Sequence, residues 1–246
     1  MRALAVGAAT LFIALTLAAC GGDNAPPASP QPTAPARTTQ PPSATAGNPT
    51  DPATFAKRKL PLDLAKGAAL GKADAKVTLE AYEDFQCPFC LGFTMTLEPV
   101  VIDEYVAAGK VRLVFHNFPI LGADSVRAAL AATCAAAQEK FWPLQQRLFL
   151  EQAKAGQLTA EKTNIGRFSE ENLRKFATES GAAGGPYDAC LKDEATLSKV
   201  QDEVRSAQQL GLRGTPSLVL NGKPVATPPD AAAMRKLLDD AVAAAK

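Results

Sequence analysis

Histidine is nearly missing from this chain: His116 is the only one in 246 residues. A zinc module built on paired histidines is thereby excluded. The soft ligands that remain are five cysteines, of which only Cys87 and Cys90 stand in a C-x-x-C pair. Cys20, Cys134 and Cys190 supply no second half-site at the spacing such modules use, so no metal is expected. An excess of charge of one sign is missing too. Lys and Arg number 26 against 25 Asp and Glu, with no basic stripe carrying interleaved aromatics, so nucleic acid is not an expected partner. After residue 17 no stretch is apolar enough to cross a bilayer.

The one long apolar run is at the start. Arg2 supplies a positive flank, and Ala3 to Leu17 form a core of signal-peptide length that ends in Leu17-Ala18-Ala19-Cys20. That tetrapeptide resembles the lipobox of bacterial lipoproteins, which implies a signal over residues 1–19 and lipidation of Cys20. The other reading is an ordinary secretory signal with Cys20 incidental, and both place the protein outside the cytoplasm. Removing residues 1–19 takes away Arg2 and no acid, leaving 25 side chains of each sign. From Gly21 to Phe55 the chain holds nine of its nineteen prolines and almost no large apolar residues. Such a segment cannot offset its ordering entropy by burial, so residues 20–56 read as a lipid anchor and a disordered, rather extended tether. Residues 57–246 are then one domain.

Five cysteines are an odd number for an oxidising compartment. With Cys20 lipidated, four remain: the close pair Cys87 and Cys90, and the distant pair Cys134 and Cys190. The distant pair is expected to form a structural disulfide between two helices, the alternative being two buried free thiols.

The close pair, Cys87-Pro88-Phe89-Cys90, follows the apolar run Val77 to Tyr82 and opens a helix. Two thiols so spaced can close a disulfide and carry two electrons. A thiolate on Cys87 at the N-cap would meet the unpaired N–H groups of the first turn and the positive end of the helix dipole, which lowers its pKa. Cys90, one turn further in, would be the resolving thiol. Pro88 suits the first helical position, where its missing N–H costs nothing. A fixed structural disulfide between Cys87 and Cys90 is the competing reading.

Around this pair the spacing predicts a strand over Val77–Tyr82, a helix from Cys87 to about Ala108 kinked at Pro99, and a strand over Val111–Phe115 parallel to the first. Helical patterning then fills about 123–210. A strand over Ser217–Leu220, a turn at Asn221-Gly222 and a final helix capped by Asp230 complete the domain.

Three ordered motifs carry a family resemblance: Tyr82-Glu83-Asp84-Phe85-Gln86-Cys87-Pro88-Phe89-Cys90, then Phe115-His116-Asn117-Phe118-Pro119, then Gly214-Thr215-Pro216-Ser217 followed by Asn221-Gly222. From about Leu70 to Lys246 the chain resembles the DsbA-like branch of the thioredoxin superfamily. The resemblance implies an α/β thioredoxin fold with an inserted helical domain and a reactive dithiol at a helix N-terminus, supported by Pro88, Phe89, Thr215 and Pro216. Thr215-Pro216 would be a cis peptide facing the dithiol. It also implies disulfide exchange with exported client proteins, a membrane redox partner to reset the dithiol, and no cofactor beyond the cysteines. One departure stands out. The buried acid that members commonly place six residues before the first cysteine is Ala81 here; Glu80 lies on the opposite face of a regular strand, and Glu83 and Asp84 read as solvated loop residues. His116 reads as structural rather than catalytic.

The sequence thus points to a lipid-anchored thiol–disulfide oxidoreductase of the cell envelope that oxidises client cysteine pairs. A reductase or isomerase using the same dithiol, and a non-catalytic binding module with a fixed Cys87–Cys90 bond, are the alternatives.

Overall fold

The computed structural model describes residues 50–245. The expected signal, the Cys20 lipidation site and most of the expected tether lie outside the described residues. The end of that tether does not behave as expected. Pro52–Ala56 form a short helix, α1, capped by Asp51, whose carboxylate accepts from the Thr54 N–H and hydroxyl. Phe55 drops from α1 into the core with 4% exposure, which gives this otherwise polar, proline-rich stretch the one apolar anchor it needs to order.

Two short strands follow, β1 (Ala65–Lys66) and β2 (Ala69–Leu70), then β3 (Val77–Glu83). The helix after the dithiol runs as α2 (Pro88–Thr96) and α3 (Glu98–Val100) and continues into a π-helical turn over Val101–Val106. Its extent matches the expected single helix. The interruption lies at Leu97, two residues before Pro99, which has no N–H to give the preceding turn. Next comes β4 (Val111–Asn117), then five helices: α4 (Ala123–Ala136), α5 (Phe141–Lys154), α6 (Glu170–Glu179), α7 (Gly185–Lys192) and α8 (Glu194–Gln209). The chain returns to the sheet with β5 (Ser217–Leu220) and β6 (Lys223–Val225) and ends in α9 (Ala231–Ala244). Asn221 and Gly222 both take positive φ, the conformation a two-residue turn between twisted strands requires.

The six strands are ordered β1-β2-β4-β3-β5-β6. Only β3 and β4 are parallel, in a register that sets Ala81 beside Phe115 and Glu83 beside Asn117. Where β2 leaves for β3, Gly71 has φ +119, and a Cβ there would stand 2.8 Å from the Val111 carbonyl. Only glycine fits that crossing. β3 sits at the centre of the sheet, with Val77, Leu79, Ala81 and Glu83 buried on one face and Thr78 and Glu80 only partly buried on the other. Val77, Leu79 and Ala81 face the main core with α2, Phe115, Phe141 and Trp142. Tyr82 faces a smaller core with Phe118, Ala207 and Val219, over which α8 lies. Cys134 of α4 and Cys190 of α7 are joined by a disulfide, within the helical segment.

Candidate active site

Strand β3 delivers the chain to the dithiol and α2 begins immediately after it, so Cys87 is the N-cap and Pro88 the first helical residue. Cys87 and Cys90 are both free thiols in the described state. The Cys87 thiol donates to the Thr215 carbonyl at 3.2 Å, and Thr215-Pro216 is a cis peptide at the entry to β5. Two of the three sequence motifs therefore converge: Cys87 of the first and Thr215-Pro216 of the third meet at one end of the sheet. Phe89, at 42% exposure, is the exposed member of the tetrapeptide.

The two sulfurs differ sharply. The Cys90 thiol hydrogen-bonds to Cys87 and, against the opposing effect of burial, brings its pKa down to about 7; Thr215 and the free N–H groups of Cys90 and Phe89 in the first helical turn add to this. Cys90 is pushed well up, first by complete burial and then by the neighbouring charge on Cys87 and on Glu83. The Asp84 N–H, 3.5 Å from the Cys90 sulfur, works the other way.

Glu83 and Asp84 are not solvated. Both are 1% exposed. The strand continues one residue past Tyr82, so alternation carries Glu83 onto the face of Ala81, against α2, where Thr94 donates to it at 3.4 Å. Burial, then the charges of Glu98 and Cys87, hold its carboxyl well above the ordinary range. The signal that finds Glu83 is the same period-2 pattern run to the end of the strand. Asp84 is buried for another reason. Its carboxylate accepts four hydrogen bonds: from the Gln86 N–H (2.8 Å), the Ser125 hydroxyl (2.6 Å), and the N–H groups of Ile120 (2.8 Å) and Leu121 (2.9 Å).

That carboxylate ties the dithiol loop to the turn entering α4, and glutamines complete the tie. Gln152 donates to the Phe85 carbonyl and Gln157 to the Gln86 carbonyl, while the Gln86 side chain spans Ser125 and the Asn164 N–H. The loop is thus held by the helical segment at both its backbone and its side chains. Ile120 and Ile165, each next to a residue in this network, are exposed like Phe89.

Glu80 lies on the other face of β3, as expected. Its carboxylate is 2.9 Å from Nε2 of His116, whose Nδ1 is 3.5 Å from Glu203 of α8, and the ring stacks on Tyr82. Burial pulls the imidazole pKa down, but the hydrogen bonds and charges of Glu203 and Glu80 outweigh it and push it up to about 9. His116 is a clamp between α8 and the sheet, on the face away from α2. Among the described residues no group of three or more His, Cys, Asp or Glu is placed to hold a metal ion.

Comparison with known proteins agrees with this geometry. The family model described as Thioredoxin matches residues 64–240. The probable disulfide bond formation protein D of Bacillus cereus is 31% identical over 173 residues, covering 70% of this chain and 76% of that protein. Among solved structures, oxidised BdbD from Bacillus subtilis superposes with a TM-score of 0.62 at 23% identity, over 72% of this chain and 94% of the other. Wolbachia pipientis α-DsbA1 gives 0.60 at 20% identity, over 76% and 94%. At those identities the two structures speak for the fold.

Proposed function

The chain belongs to the thioredoxin family, and from that premise we propose that its Cys87–Cys90 dithiol oxidises cysteine pairs in exported client proteins. It is a thiol–disulfide oxidoreductase, as its likeness to disulfide bond formation protein D supports. The observation that carries the direction is the unequal pair: a Cys87 thiol whose pKa is brought down to about 7, first by its hydrogen bond with Cys90 and then by Thr215 and the first-turn N–H groups, beside a buried Cys90 pushed upward. Stabilising the Cys87 thiolate favours the reduced enzyme and so makes its disulfide the stronger oxidant.

In this reading a client thiolate attacks the Cys87 sulfur of the oxidised enzyme and Cys90 leaves. The second client thiol then attacks the client sulfur of the mixed disulfide, releasing Cys87 as its stable thiolate and the client with a new disulfide. Thr215 holds the Cys87 sulfur, Pro216 opens β5 beside it, and Pro88 and Phe89 shape the turn from which it projects. Exposed Phe89, Ile120 and Ile165 give the surroundings an apolar rim suited to unfolded polypeptide. A membrane redox partner would reoxidise the dithiol. Lipidation of Cys20 would tether the domain to the envelope membrane, and no described helix is long and apolar enough to cross one.

Trapping tests the assignment of roles. Cys90→Ala should accumulate client or glutathione on Cys87 as a stable mixed disulfide, visible by mass and lost on reduction, while Cys87→Ala should capture little. Equal capture by both variants would contradict the unequal roles.

A further inference from the structure

The end of the sheet opposite the dithiol gathers positive charge. The parallel register sets Val77 beside Val111 and Thr78 beside Arg112, so Lys76 and Lys110 flank each other where the two strands begin. Lys72 folds across the same edge: a Cβ on Gly109 would stand 2.9 Å from its side chain, and one on Gly71 would stand 3.1 Å from the Arg112 Cα. The β5–β6 turn closes on this end as well. The Asn221 N–H donates to the Thr78 carbonyl at 2.9 Å and the Thr78 N–H to the Asn221 side chain at 2.8 Å, which brings Lys223 alongside. Lys72, Lys76, Lys110 and Lys223 are exposed and Arg112 is half-buried. Among the described residues none of these cations has an ion-pair partner; Lys110 lies 5.8 Å from the centre of the Tyr105 ring. The exposed acids at this end are Asp74, in the turn between Lys72 and Lys76, and Asp63, whose neighbour Leu64 accepts from the Gly71 N–H. Asp103 and Glu104, further up the helix, are taken by Arg58 and Arg235. Leu62, on the same short turn as Asp63, is 48% exposed. From residue 20 onward the chain has 25 side chains of each sign, so this pole is a local asymmetry and not a reflection of net charge.

We propose that this basic pole is a docking surface for the anionic phospholipid headgroups of a bilayer. The inference goes beyond the redox reading and does not depend on it. Residues 20–49 give a proline-rich chain a reach of up to about 90 Å, so a lipid on Cys20 would confine the domain to the membrane without choosing which face meets it. The basic pole makes that choice. Ammonium and guanidinium groups without a carboxylate partner keep their charge for phosphate, and Leu62 enters the headgroup layer beside them. Strand β3 runs from this pole toward the dithiol over Val77–Glu83, about 20 Å. Docking therefore holds Cys87, Phe89 and the Thr215-Pro216 turn away from the bilayer and open to exported polypeptide. An acidic protein would meet the same charges, but the expected anchor keeps the bilayer at high local concentration, which favours lipid.

The test uses the exported chain from residue 20 with Cys20→Ser, which removes the lipid alone, sedimented with vesicles. It should bind vesicles of phosphatidylglycerol and phosphatidylcholine at low ionic strength, stay in solution with phosphatidylcholine alone, and be released as salt rises through about 0.15 M. Lys76→Gln with Lys110→Gln should weaken binding about 25-fold, at about fivefold per cation, and Lys72→Gln with Lys223→Gln by the same factor. Lys175→Gln with Lys192→Gln, exposed on the helical segment, should leave it unchanged. Every variant should exchange with glutathione at the wild-type rate, which shows the fold intact. Absence of binding to the anionic vesicles, equal binding to neutral ones, or an equal loss in the Lys175 and Lys192 control would overturn the proposal. Capture of polyglutamate through the same lysines, with none of the vesicles, would give the face to an acidic protein and overturn it too. A protein that binds the vesicles as described but never exchanges with glutathione would uphold the docking surface and count against the redox reading alone.

Discussion

Cys87 and Cys90 are the same residue three positions apart, yet their environments push them in opposite directions. The first sulfur is stabilised as a thiolate by the Cys90 thiol, Thr215 and the free N–H groups of the first turn; the second is one turn deeper and fully buried, and the Asp84 N–H alone works against that burial. Asp84 fixes this difference in space. Its backbone N–H points at the Cys90 sulfur and its carboxylate gathers four donors from three segments. Asp84→Asn should therefore leave buried donors unmatched and destabilise the protein by about 2–4 kcal/mol. Urea unfolding checks this, with a lowered midpoint at unchanged slope as the expected result; a change under about 0.5 kcal/mol would mean the network tolerates the loss. At this scale the sequence was partly legible. The C-P-F-C tetrapeptide and its position before a helix point to both thiols and to their unequal surroundings. Glu83 and Asp84 were misplaced as solvated, because the strand's last residue and the partners across the chain that bury Asp84 leave no local mark.

Elements act here mainly as arms that bring distant side chains to one end of the sheet. α8 is the clearest case away from the dithiol, since its Glu203 and Glu80 of β3 grip His116 between them. The histidine's folded pKa of about 9 exceeds its ordinary 6.5, so its contribution to stability is complete below about pH 6.5 and is lost as pH rises through 9. We expect that contribution to be on the order of 2–3 kcal/mol. His116→Gln should be less stable than wild type at pH 6, with the gap closing toward pH 9 or above; a gap independent of pH would show that packing on Tyr82, rather than charge, is what the ring supplies. Most elements could be read from pattern: alternation for β3 and β4, Asn-Gly for the final hairpin, and the cap Asp230, which accepts from Ala233. β1, β2 and α1 were not visible, because two-residue strands and a five-residue helix are stabilised by what they pack against, as Phe55 and the Trp142 bond to the Ala69 carbonyl illustrate.

For the whole molecule, the sheet supplies the dithiol and the cis-proline turn, and the helical segment supplies the polar groups that hold the dithiol loop still. A disulfide between α4 and α7, 56 residues apart, staples the helical segment that bears those groups, worth roughly 4 kcal/mol in the chain-entropy view. Residues from 50 onward are part of the same body through Phe55 and Arg58. Everything in this arrangement bears on one quantity, the reduction potential of Cys87–Cys90. It should be measured by equilibrating the protein in graded glutathione buffers and counting alkylated thiols by mass. An oxidant of client thiols predicts a potential clearly above about −180 mV. A value below about −230 mV would make the protein a reductase in need of an electron donor, and a pair that does not exchange would be a structural disulfide; either result contradicts the account.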